Sequence, residues 1–318
     1  MRDAAIEVDG LTKRFGALLA VDRVSFEVAP GTVFGLLGPN GAGKTTCIRI
    51  LTTILRPDGG TARILGLDVV GDARAVRHHI GLAGQYAAVD PNLTGRENLE
   101  LMGRLAQLRP RDYRPRAEEL LAGFELTGAA GRPVRQYSGG MRRRLDVAAA
   151  LVARPPVLFL DEPTTGLDPR SRNELWALIR RLVAEGTTVL LTTQYLEEAD
   201  RLTDRIAVID HGRVIVDDTA AALKARLGTT VIELTVDEAE AQRCEAVLAA
   251  TVGPCVEREG ATLRLRSGDG PQLLIAALHA LDGAGVAVSG LAVREPSLDD
   301  VFLHLTGGAP AVMAGAAG

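Results

Sequence analysis

The stretch that decides the fold is VFGLLGPNGAGKTT, residues 33–46, in which a continuous apolar run leads into a glycine-rich loop. The part from Gly38 to Thr46 contains the full spacing G-x-x-x-x-G-K-T. The run before it, residues 33–38, is typical of a buried strand, and residues 45–55 have the apolar spacing of a helix. A glycine loop between a strand and a helix is the context in which this spacing binds the phosphates of a nucleotide.

The residue types within this loop match that chemistry. Gly38, Gly41 and Gly43 let backbone N–H groups turn toward phosphate oxygens, and the helix N-terminus adds a partial positive charge. Lys44 should reach the β- and γ-phosphates, and the Thr45 hydroxyl should coordinate Mg²⁺. The alternative is a chance glycine loop, which the combined strand, spacing, lysine and threonine disfavour. The expected phosphate-binding set is Gly38, Pro39, Asn40, Gly41, Ala42, Gly43, Lys44, Thr45 and Thr46.

Further along the chain, the segment VLFLDEP, residues 157–163, ends an apolar run in two carboxylates. Asp161 is placed to bind Mg²⁺, directly or through water. Glu162 would then polarise the attacking water, as a general base or as an orienting group. A pair of acidic residues facing solvent is the alternative, and the phosphate loop upstream makes it the weaker one.

Between these two motifs lies RQYSGGMRRRLDVA, residues 135–148. Ser138, Gly139 and Gly140 place a hydroxyl and two unhindered N–H groups at a helix start, which is a second anion-binding device. Read alone, SGG is more often a turn and a helix cap. The arginines 142–144 could indicate nucleic-acid binding. The favoured interpretation is a helix face that lies beside phosphate or beside acidic groups of a partner.

The remaining pattern indicates an α/β protein with two domains. The apolar runs 157–160, 188–192 and 205–210 are separated by helices, as parallel strands are. Residues 5–35 read as short alternating strands, IEVDGLTKRF (6–15) and VDRVSFEV (21–28), broken by Gly16 and Pro30–Gly31. Residues 92–154 read as mainly helical. Beyond Thr219 the order becomes β-α-β-β-α-β, which suits a ferredoxin-like split βαβ. We predict a first domain at 5–224, with a helical subdomain at about 88–154, a second at 225–306 and a disordered tail at 307–318.

Composition narrows the functional classes. The 318 residues carry a formal net charge of −4, which argues against a nucleic-acid-binding protein. Cys47, Cys244 and Cys255 form no metal spacing and no disulfide framework, as fits a reducing cytosol. No apolar run approaches the roughly 20 residues of a membrane span, and the N-terminus lacks the layout of a signal peptide. We therefore expect a soluble chain that reaches a membrane only through a partner.

Taken in order, these motifs resemble those of the ATP-binding cassette ATPases, the nucleotide-binding subunits of ABC transporters, from residue 5 to about 220. The resemblance implies a P-loop cassette with a RecA-like core plus antiparallel β and α-helical subdomains. For the small α+β domain that follows, at 225–306, we expect a regulatory or dimerisation role. It implies ATP and Mg²⁺ as cofactors, and a head-to-tail homodimer in which SGG binds the γ-phosphate held by the opposite subunit. It also implies separate six-span membrane permeases, a place at the cytoplasmic face of the membrane and no nucleic-acid partner.

The resemblance adds further site residues. Phe15 matches the aromatic residue that stacks on adenine, with a core phenylalanine as the alternative. Gln85 in GLAGQ matches the glutamine that senses Mg²⁺ and signals to the membrane subunit, with a solvated loop glutamine as the alternative. Asp168 in GLD matches the loop that crosses the dimer interface, although GLD could equally be a turn.

The sequence departs from the usual family pattern at two places. The signature reads YSGGM where many relatives have LSGGQ, but its serine and glycines are kept. In TTQYLEEAD, Gln194 stands where the family usually has a histidine. A glutamine amide can donate to the γ-phosphate but cannot titrate, so hydrolysis would depend on Glu162. The catalytic candidates are Glu162, Gln194 and Gln85, and the metal candidates are Thr45, Gln85 and Asp161.

A closer resemblance accounts for the glutamine. Daunorubicin-resistance-type ATPases of antibiotic producers also read TTQYL, and they carry a C-terminal segment like SLDDVFLHLTG, residues 297–307. In that segment Leu298, Val301, Phe302 and Leu305 form an apolar helical stripe, with Asp299 and Asp300 off it. The resemblance implies export of a drug or secondary metabolite. Export of a lipid or polysaccharide, and a soluble ABC protein of translation or DNA repair, remain alternatives; a P-loop kinase or nucleotide switch leaves SGG and Gln85 unexplained.

Overall fold

The computed structural model describes residues 4–84, 88–227, 230–252, 256–267, 270–294, 297–298 and 301–302. The chain divides into two compact units, one up to Thr219 and one from Ala220 onward. The strands of the first unit are β1 (Ile6–Phe15), β2 (Leu18–Val28), β3 (Val33–Leu37), β4 (Gly59–Ile64), β5 (Leu67–Asp68), β6 (Ile80–Ala83), β7 (Val157–Asp161), β8 (Thr188–Thr193), β9 (Arg205–Asp210) and β10 (Arg213–Asp218). Its helices are α1 (Lys44–Leu51), α2 (Ala73–His79), α3 (Gly95–Leu105), α4 (Pro110–Gly123), α5 (Gly139–Ala150), α6 (Pro169–Ala184) and α7 (Leu196–Leu202).

The main sheet of the first unit has six strands in the order β10-β9-β3-β8-β7-β6. Its five strands from β9 to β6 are parallel, and β10 pairs antiparallel at the edge. Every residue of β3, β7 and β8 is buried, because helices such as α5 and α6 cover one face of the sheet while α1 and the strands β1, β2 and β4 cover the other. This burial explains the continuous apolar runs in the sequence. The predicted α/β class, with parallel strands separated by helices, is confirmed.

A second, antiparallel sheet has the strand order β2-β1-β4-β5. The sequence predicts strands over residues 6–15 and 21–28 in this region; β1 coincides with the first segment, and β2 contains the second and begins three residues earlier, at Leu18. The pairing of β1 with β2 shifts register between Val8 and Leu11, where Gly10 has φ 59°. A bulge at this glycine bends the pair locally, and the two strands continue on either side of it.

The predicted helical stretch contains α3, α4 and α5, which pack around a shared apolar core that includes Leu99, Leu121 and Leu145. A capping box starts α3, since the Thr94 hydroxyl accepts from the Glu97 N–H while the Glu97 carboxylate accepts from the Thr94 N–H. Within the described residues, no helix is both long and apolar enough to cross a bilayer.

The helix after the phosphate loop is shorter than expected. The sequence pattern extends it to Leu55, but α1 ends at Leu51. Thr53 has φ 64°, and the N–H groups of Ile54 and Leu55 both donate to the Arg49 carbonyl. A left-handed residue with such bonds closes a helix C-terminus, so the apolar residues that follow lie outside α1.

The second unit contains α8 (Ala220–Leu227), β11 (Thr230–Val236), α9 (Ala241–Val252), β12 (Val256–Glu259), β13 (Thr262–Ser267), α10 (Gly270–Gly283) and β14 (Val288–Arg294). Its sheet has the order β12-β13-β11-β14 with antiparallel neighbours, and α9 and α10 pack on each other. The element order from β11 onward is β-α-β-β-α-β, and assignment to the ferredoxin-like class stays a prediction. Leu298 and Val301 are buried, whereas Asp299, Asp300, Leu305 and the 307–318 tail lie outside the described residues.

Candidate functional site

The residues singled out by the sequence meet at one edge of the main sheet. The neighbouring strands β3, β8 and β7 are parallel, so their carboxyl ends lie side by side. The phosphate loop follows β3, Gln194 follows β8, and Asp161 is the last residue of β7. Ligands of open α/β sheets bind at the carboxyl ends of the strands, so this edge is the candidate site.

The glycines of the loop are required by its close packing. Gly43 has φ 105°, and a side chain there would collide with the Ala20 carbonyl oxygen. A methyl group on Gly38 would collide with the Ile209 carbonyl oxygen. Gly41, with φ 83°, has open space where a side chain would stand. The loop is therefore braced against the body of the first unit on one side and open on the side of Gly41.

Lys44 places a buried ammonium group within the loop. Its side chain is 4% exposed, and Nζ donates to the Gly38 carbonyl at 2.8 Å and to the Pro39 carbonyl at 3.0 Å. Nζ also lies 3.8 Å from Oε1 of Glu162. Burial lowers the pKa of Lys44, and the charges of Glu162 and Asp161 oppose that shift. A desolvated cation between loop carbonyls and acidic groups is suited to a phosphate anion.

Asp161 lies beside two hydroxyl groups. Its Oδ1 accepts from Thr192 Oγ1 at 2.6 Å and from Thr45 Oγ1 at 3.2 Å, and the residue is 4% exposed. A carboxylate and a hydroxyl are hard oxygen ligands of the kind that Mg²⁺ prefers. The structure thus brings together Thr45 and Asp161, both predicted as metal ligands from distant parts of the sequence.

Glu162 has a strained backbone. Its φ is 47°, in the left-handed region, which costs a residue with a side chain about 1–2 kcal/mol. The Glu162 N–H donates to Thr192 Oγ1 at 3.0 Å, and Oε2 accepts from Thr165 Oγ1 at 3.3 Å. The carboxylate is nearly buried and points toward Lys44, as the 3.8 Å ion pair shows. Strain of this kind persists where the surroundings enforce it, and it clusters at functional sites.

The signature residues form a second group at the starts of two helices. Ser138 caps α5, since its Oγ accepts from the Met141 N–H at 3.2 Å. The interpretation of SGG as a helix cap therefore agrees with the structure. Gly139 is exposed, with open space where a side chain would stand. Gly140 packs against Ser171, whose hydroxyl donates to Asp168 at 2.7 Å. The cap uses only the serine oxygen, and Gly139 and Gly140 are the first two residues of α5. Their backbone N–H groups can therefore bind an anion while Ser138 caps the helix.

The other predicted residues have different surroundings. Phe15 is 46% exposed at the end of β1, so it is not a core phenylalanine, and the Lys13 ammonium lies 5.8 Å from its ring centroid. Asp168 caps α6, and the hydrogen bonds from Ser171 hold the pKa of that carboxyl below its usual range. Gln194 is half-buried. Gln85 lies outside the described residues.

Two residues near the site were missed by sequence reasoning. Thr192 is 0% exposed and hydrogen-bonds to both Asp161 and Glu162. The feature of the sequence that could have indicated it is a hydroxyl residue near the end of an apolar strand. Arg143 was read only as part of an arginine run. It is 12% exposed and pairs with buried Asp146 at 3.0 Å, an i,i+3 spacing visible in the sequence. Arg144 lies 3.4–3.5 Å from glutamates of its own chain, so two arginines of the run have internal partners.

Comparison with known proteins agrees with this geometry. The ABC transporter family model matches residues 21–165. The chain is 54% identical to daunorubicin resistance ATP-binding protein DrrA3 of Streptomyces coeruleorubidus, over 96% of this chain and 97% of that protein. It is 52% identical to the daunorubicin/doxorubicin resistance ATP-binding protein DrrA of Streptomyces peucetius, over 95% and 92%. It is 44% identical to Nod factor export ATP-binding protein I of Ralstonia nicotianae, over 95% and 94%.

Solved structures give the same result for the fold. An ATP-binding subunit of an ABC transporter is 28% identical with a TM-score of 0.64, over 70% of this chain and 93% of that chain. An ATP-binding cassette in a dimeric post-hydrolysis state, bound to ADP and phosphate, is 27% identical with a TM-score of 0.61, over 67% and 98%.

Proposed function

The chain belongs to the family of ABC transporter ATP-binding proteins, and on that basis we propose that it hydrolyses ATP to drive export of a drug or secondary metabolite. The observation that carries this proposal is the group formed by Lys44, Thr45, Asp161 and Glu162 at the carboxyl ends of adjacent parallel strands. The likeness to daunorubicin resistance proteins along nearly the full length supports the cargo class.

The residues present fit Mg-ATP. The loop N–H groups and Lys44 would hold the phosphates, and Phe15 offers an exposed ring face for adenine. Thr45 and Asp161 would hold Mg²⁺, which when bound neutralises phosphate charge and polarises the phosphoryl oxygens. Glu162 would orient the attacking water or accept its proton, and its position next to the phosphate loop supports that role.

The two glutamines would complete the site. Gln194 follows β8, the strand between those that carry the loop and Asp161, so its amide can donate to the γ-phosphate. Because an amide does not titrate, hydrolysis would then depend on Glu162 for proton transfer. We assign Gln85 to Mg²⁺ sensing and to signalling toward the membrane subunit on family resemblance alone.

We further propose that the active site is shared between two copies of the chain, arranged head to tail. Each chain carries two anion-binding groups, the phosphate loop and the Ser138–Gly139 start of α5. A single bound nucleotide rarely needs two such groups from one chain, so the second group can serve a nucleotide bound by another copy. The exposed, open position of Gly139 and of the neighbouring loop with Asp168 suits contact with another subunit. Separate six-span permeases would supply the membrane path and place the dimer at the cytoplasmic face of the membrane.

The ATPase proposal is tested on the purified chain by phosphate release and by binding of a fluorescent ATP analogue. Lys44→Ala should lose analogue binding, because the phosphates lose their buried cation. Glu162→Gln should keep the analogue bound and lower phosphate release by about a hundredfold or more, because the amide keeps the shape but not the basicity. Parental hydrolysis by Glu162→Gln would remove Glu162 from this role.

The shared site is tested by mixing two inactive chains. A Lys44→Ala chain and a Gly139→Asp chain can form one intact site per mixed dimer, so mixing should restore part of the activity. The activity of the parental chain should also rise with protein concentration, alongside a dimer seen by light scattering with ATP. Activity independent of concentration, with no dimer at any concentration, would contradict this arrangement.

The cargo is tested in cells that express the chain together with a candidate permease. We expect reduced accumulation of daunorubicin, and no reduction with Glu162→Gln. The likeness to a Nod factor export protein makes a lipid or polysaccharide cargo the second candidate. Intact ATPase activity with unchanged drug accumulation would favour that cargo.

For the second unit, which the sequence predicts as residues 225–306 and which begins at Ala220 in the structure, we propose a regulatory or dimerisation role. Its end carries buried Leu298 and Val301 and half-buried Phe302. Removing the chain beyond Arg294, or changing Phe302 to alanine, should weaken assembly or transport while ATP still binds. Cross-linking and efflux assays decide, and full assembly with full export after truncation would leave the segment without such a role.

A further inference from the structure

Arg143 joins helix α5 to the backbone at the carboxyl ends of β6 and β7. Its Nε donates to the Pro163 carbonyl at 2.9 Å, and Nη2 donates to the Asp161 carbonyl at 3.1 Å. Nη1 donates to the Gly84 carbonyl at 2.6 Å and to Oδ2 of Asp146 at 3.0 Å. The guanidinium of Arg143, which can donate five hydrogen bonds, thus donates to three backbone carbonyls and one carboxylate.

Two of these carbonyls stand on either side of Glu162, the residue with φ 47°. The fork of Arg143 therefore holds the Asp161–Glu162 peptide group, directly before the strained residue, and the Pro163–Thr164 peptide group, one residue beyond it, while the Thr192 hydroxyl accepts from the Glu162 N–H. A left-handed glutamate persists only if its neighbours fix the backbone, and a planar guanidinium can fix two carbonyls at a set separation. A lysine ammonium, a single point donor, cannot reproduce this fork.

The charge of Arg143 is balanced by Asp146, one turn further along α5. Asp146 is 1% exposed, and its Oδ1 accepts from the Ala88 N–H at 2.7 Å. Burial lowers the pKa of Arg143 and raises the pKa of Asp146, and the contact between the two charges opposes both shifts. A buried pair with this many hydrogen bonds is not needed for helix α5 to pack, because apolar residues would serve that purpose at lower desolvation cost.

We propose that Arg143 is a positioning residue for ATP hydrolysis: from the signature helix of its own chain, it holds the backbone of Glu162 so that the carboxylate faces the phosphate loop. This inference rests on the proposed ATPase function. In the shared-site dimer the start of α5 serves the opposite nucleotide, so Arg143 connects the signature of one site to the water-activating carboxylate of the other. The Ser138–Gly140 start of α5 and the Glu162 carboxylate would then move together.

The test compares Arg143→Lys with a matched control, Arg116→Lys, in the full-length chain. Arg116 in α4 is 15% exposed and likewise donates to a carboxylate, at 2.6 Å, and to the Leu151 carbonyl, at 3.1 Å. For Arg143→Lys we expect kcat for phosphate release to fall about tenfold or more, with KM and analogue affinity within about threefold of the parental values. Arg116→Lys should keep kcat. A parental kcat in Arg143→Lys, or an equal loss in both variants, would overturn the proposal.

A second variant covers the case in which Arg143→Lys does not fold. Arg143→Met combined with Asp146→Asn removes both charges, so no buried charge is left unpaired. It should show the same fall in kcat with unchanged affinity, and parental turnover by this variant would also refute the role of Arg143. Failure of the ATPase proposal itself looks different, because the parental chain would then release no phosphate and Lys44→Ala would change nothing.

Discussion

The hydroxyl of Thr192 offers a direct test of how the site is held together. The residue is 0% exposed, and its Oγ1 donates to Oδ1 of Asp161 at 2.6 Å and accepts from the Glu162 N–H at 3.0 Å. Thr192→Val replaces this hydroxyl by a methyl group of nearly the same volume. Packing is therefore kept, and two hydrogen bonds to the two acidic residues of the site are lost.

The magnitude follows from the two bonds. A hydrogen bond to a charged carboxylate contributes about 1.5–3 kcal/mol net, and a buried N–H left without a partner costs about 1–3 kcal/mol. We therefore expect the free energy of unfolding of the first unit to fall by about 3–5 kcal/mol. Because the Glu162 backbone also loses its anchor, kcat for phosphate release should fall about tenfold or more.

The matched control is Thr188→Val at the other end of the same strand. Thr188 is 3% exposed, and its Oγ1 accepts from the Gly31 N–H at 3.0 Å. That variant should lose about 1–3 kcal/mol of stability and keep kcat, and Thr192→Ser should keep most of both properties. Urea denaturation and phosphate release are measured on all three. Parental kcat in Thr192→Val, or an equal loss in Thr188→Val, would refute the reasoning.

Three further predictions concern other residues of the first unit. Burial raises the pKa of Glu198, whose Oε1 accepts from the Trp176 indole at 3.0 Å. The folded form therefore keeps its proton where the unfolded form releases it, so the free energy of unfolding should fall as pH rises above about 4.5. Glu198→Gln should flatten this fall, measured by fluorescence of Trp176, the single tryptophan, and equal slopes would contradict it. Phe15→Ala should weaken binding of an ATP analogue about five- to a hundredfold without loss of stability, while Phe15→Tyr should not. Gly38→Ala should abolish analogue binding and lower stability by about 1–3 kcal/mol, because its methyl group meets the Ile209 carbonyl; parental binding would show that the loop is not braced there.

The fold could be predicted from the sequence where a residue pattern is compatible with only one type of secondary structure. The apolar runs that became β7, β8 and β9 could be read as parallel strands, because only buried strands are apolar on both faces. The end of α1 could not be read, since Thr53 in a left-handed conformation looks like any helical threonine in sequence. The extent of β1 could be predicted, because Gly16, with φ 58°, ends the strand pattern in the sequence as it does in the structure.

The site shows the same division. Roles could be proposed for Lys44, Thr45 and Asp161 because their motifs carry fixed spacing, and in the structure Thr45 contacts Asp161 while Lys44 lies beside the adjacent Glu162. Thr192 and Arg143 act through contacts with residues 30 and 18 positions away, and nothing in the local sequence specifies such partners. The identity of a supporting residue depends on the tertiary structure, whereas the identity of a phosphate-binding residue is fixed by its ligand.

The central place of β3 in the main sheet has a consequence for synthesis on the ribosome. Val33 donates to Asp204, 171 residues further along the chain, and β3 pairs only with β8 and β9 within the described residues. At about 5–20 residues per second, the strand VFGLL would wait roughly 8–35 seconds after its own translation before its partners are synthesised. Throughout that interval an apolar strand edge is exposed on the nascent chain. The candidate nucleotide site needs Asp161 and Glu162 beside the loop, and β8 lies between their strand and β3, so the complete site can form only after this delay.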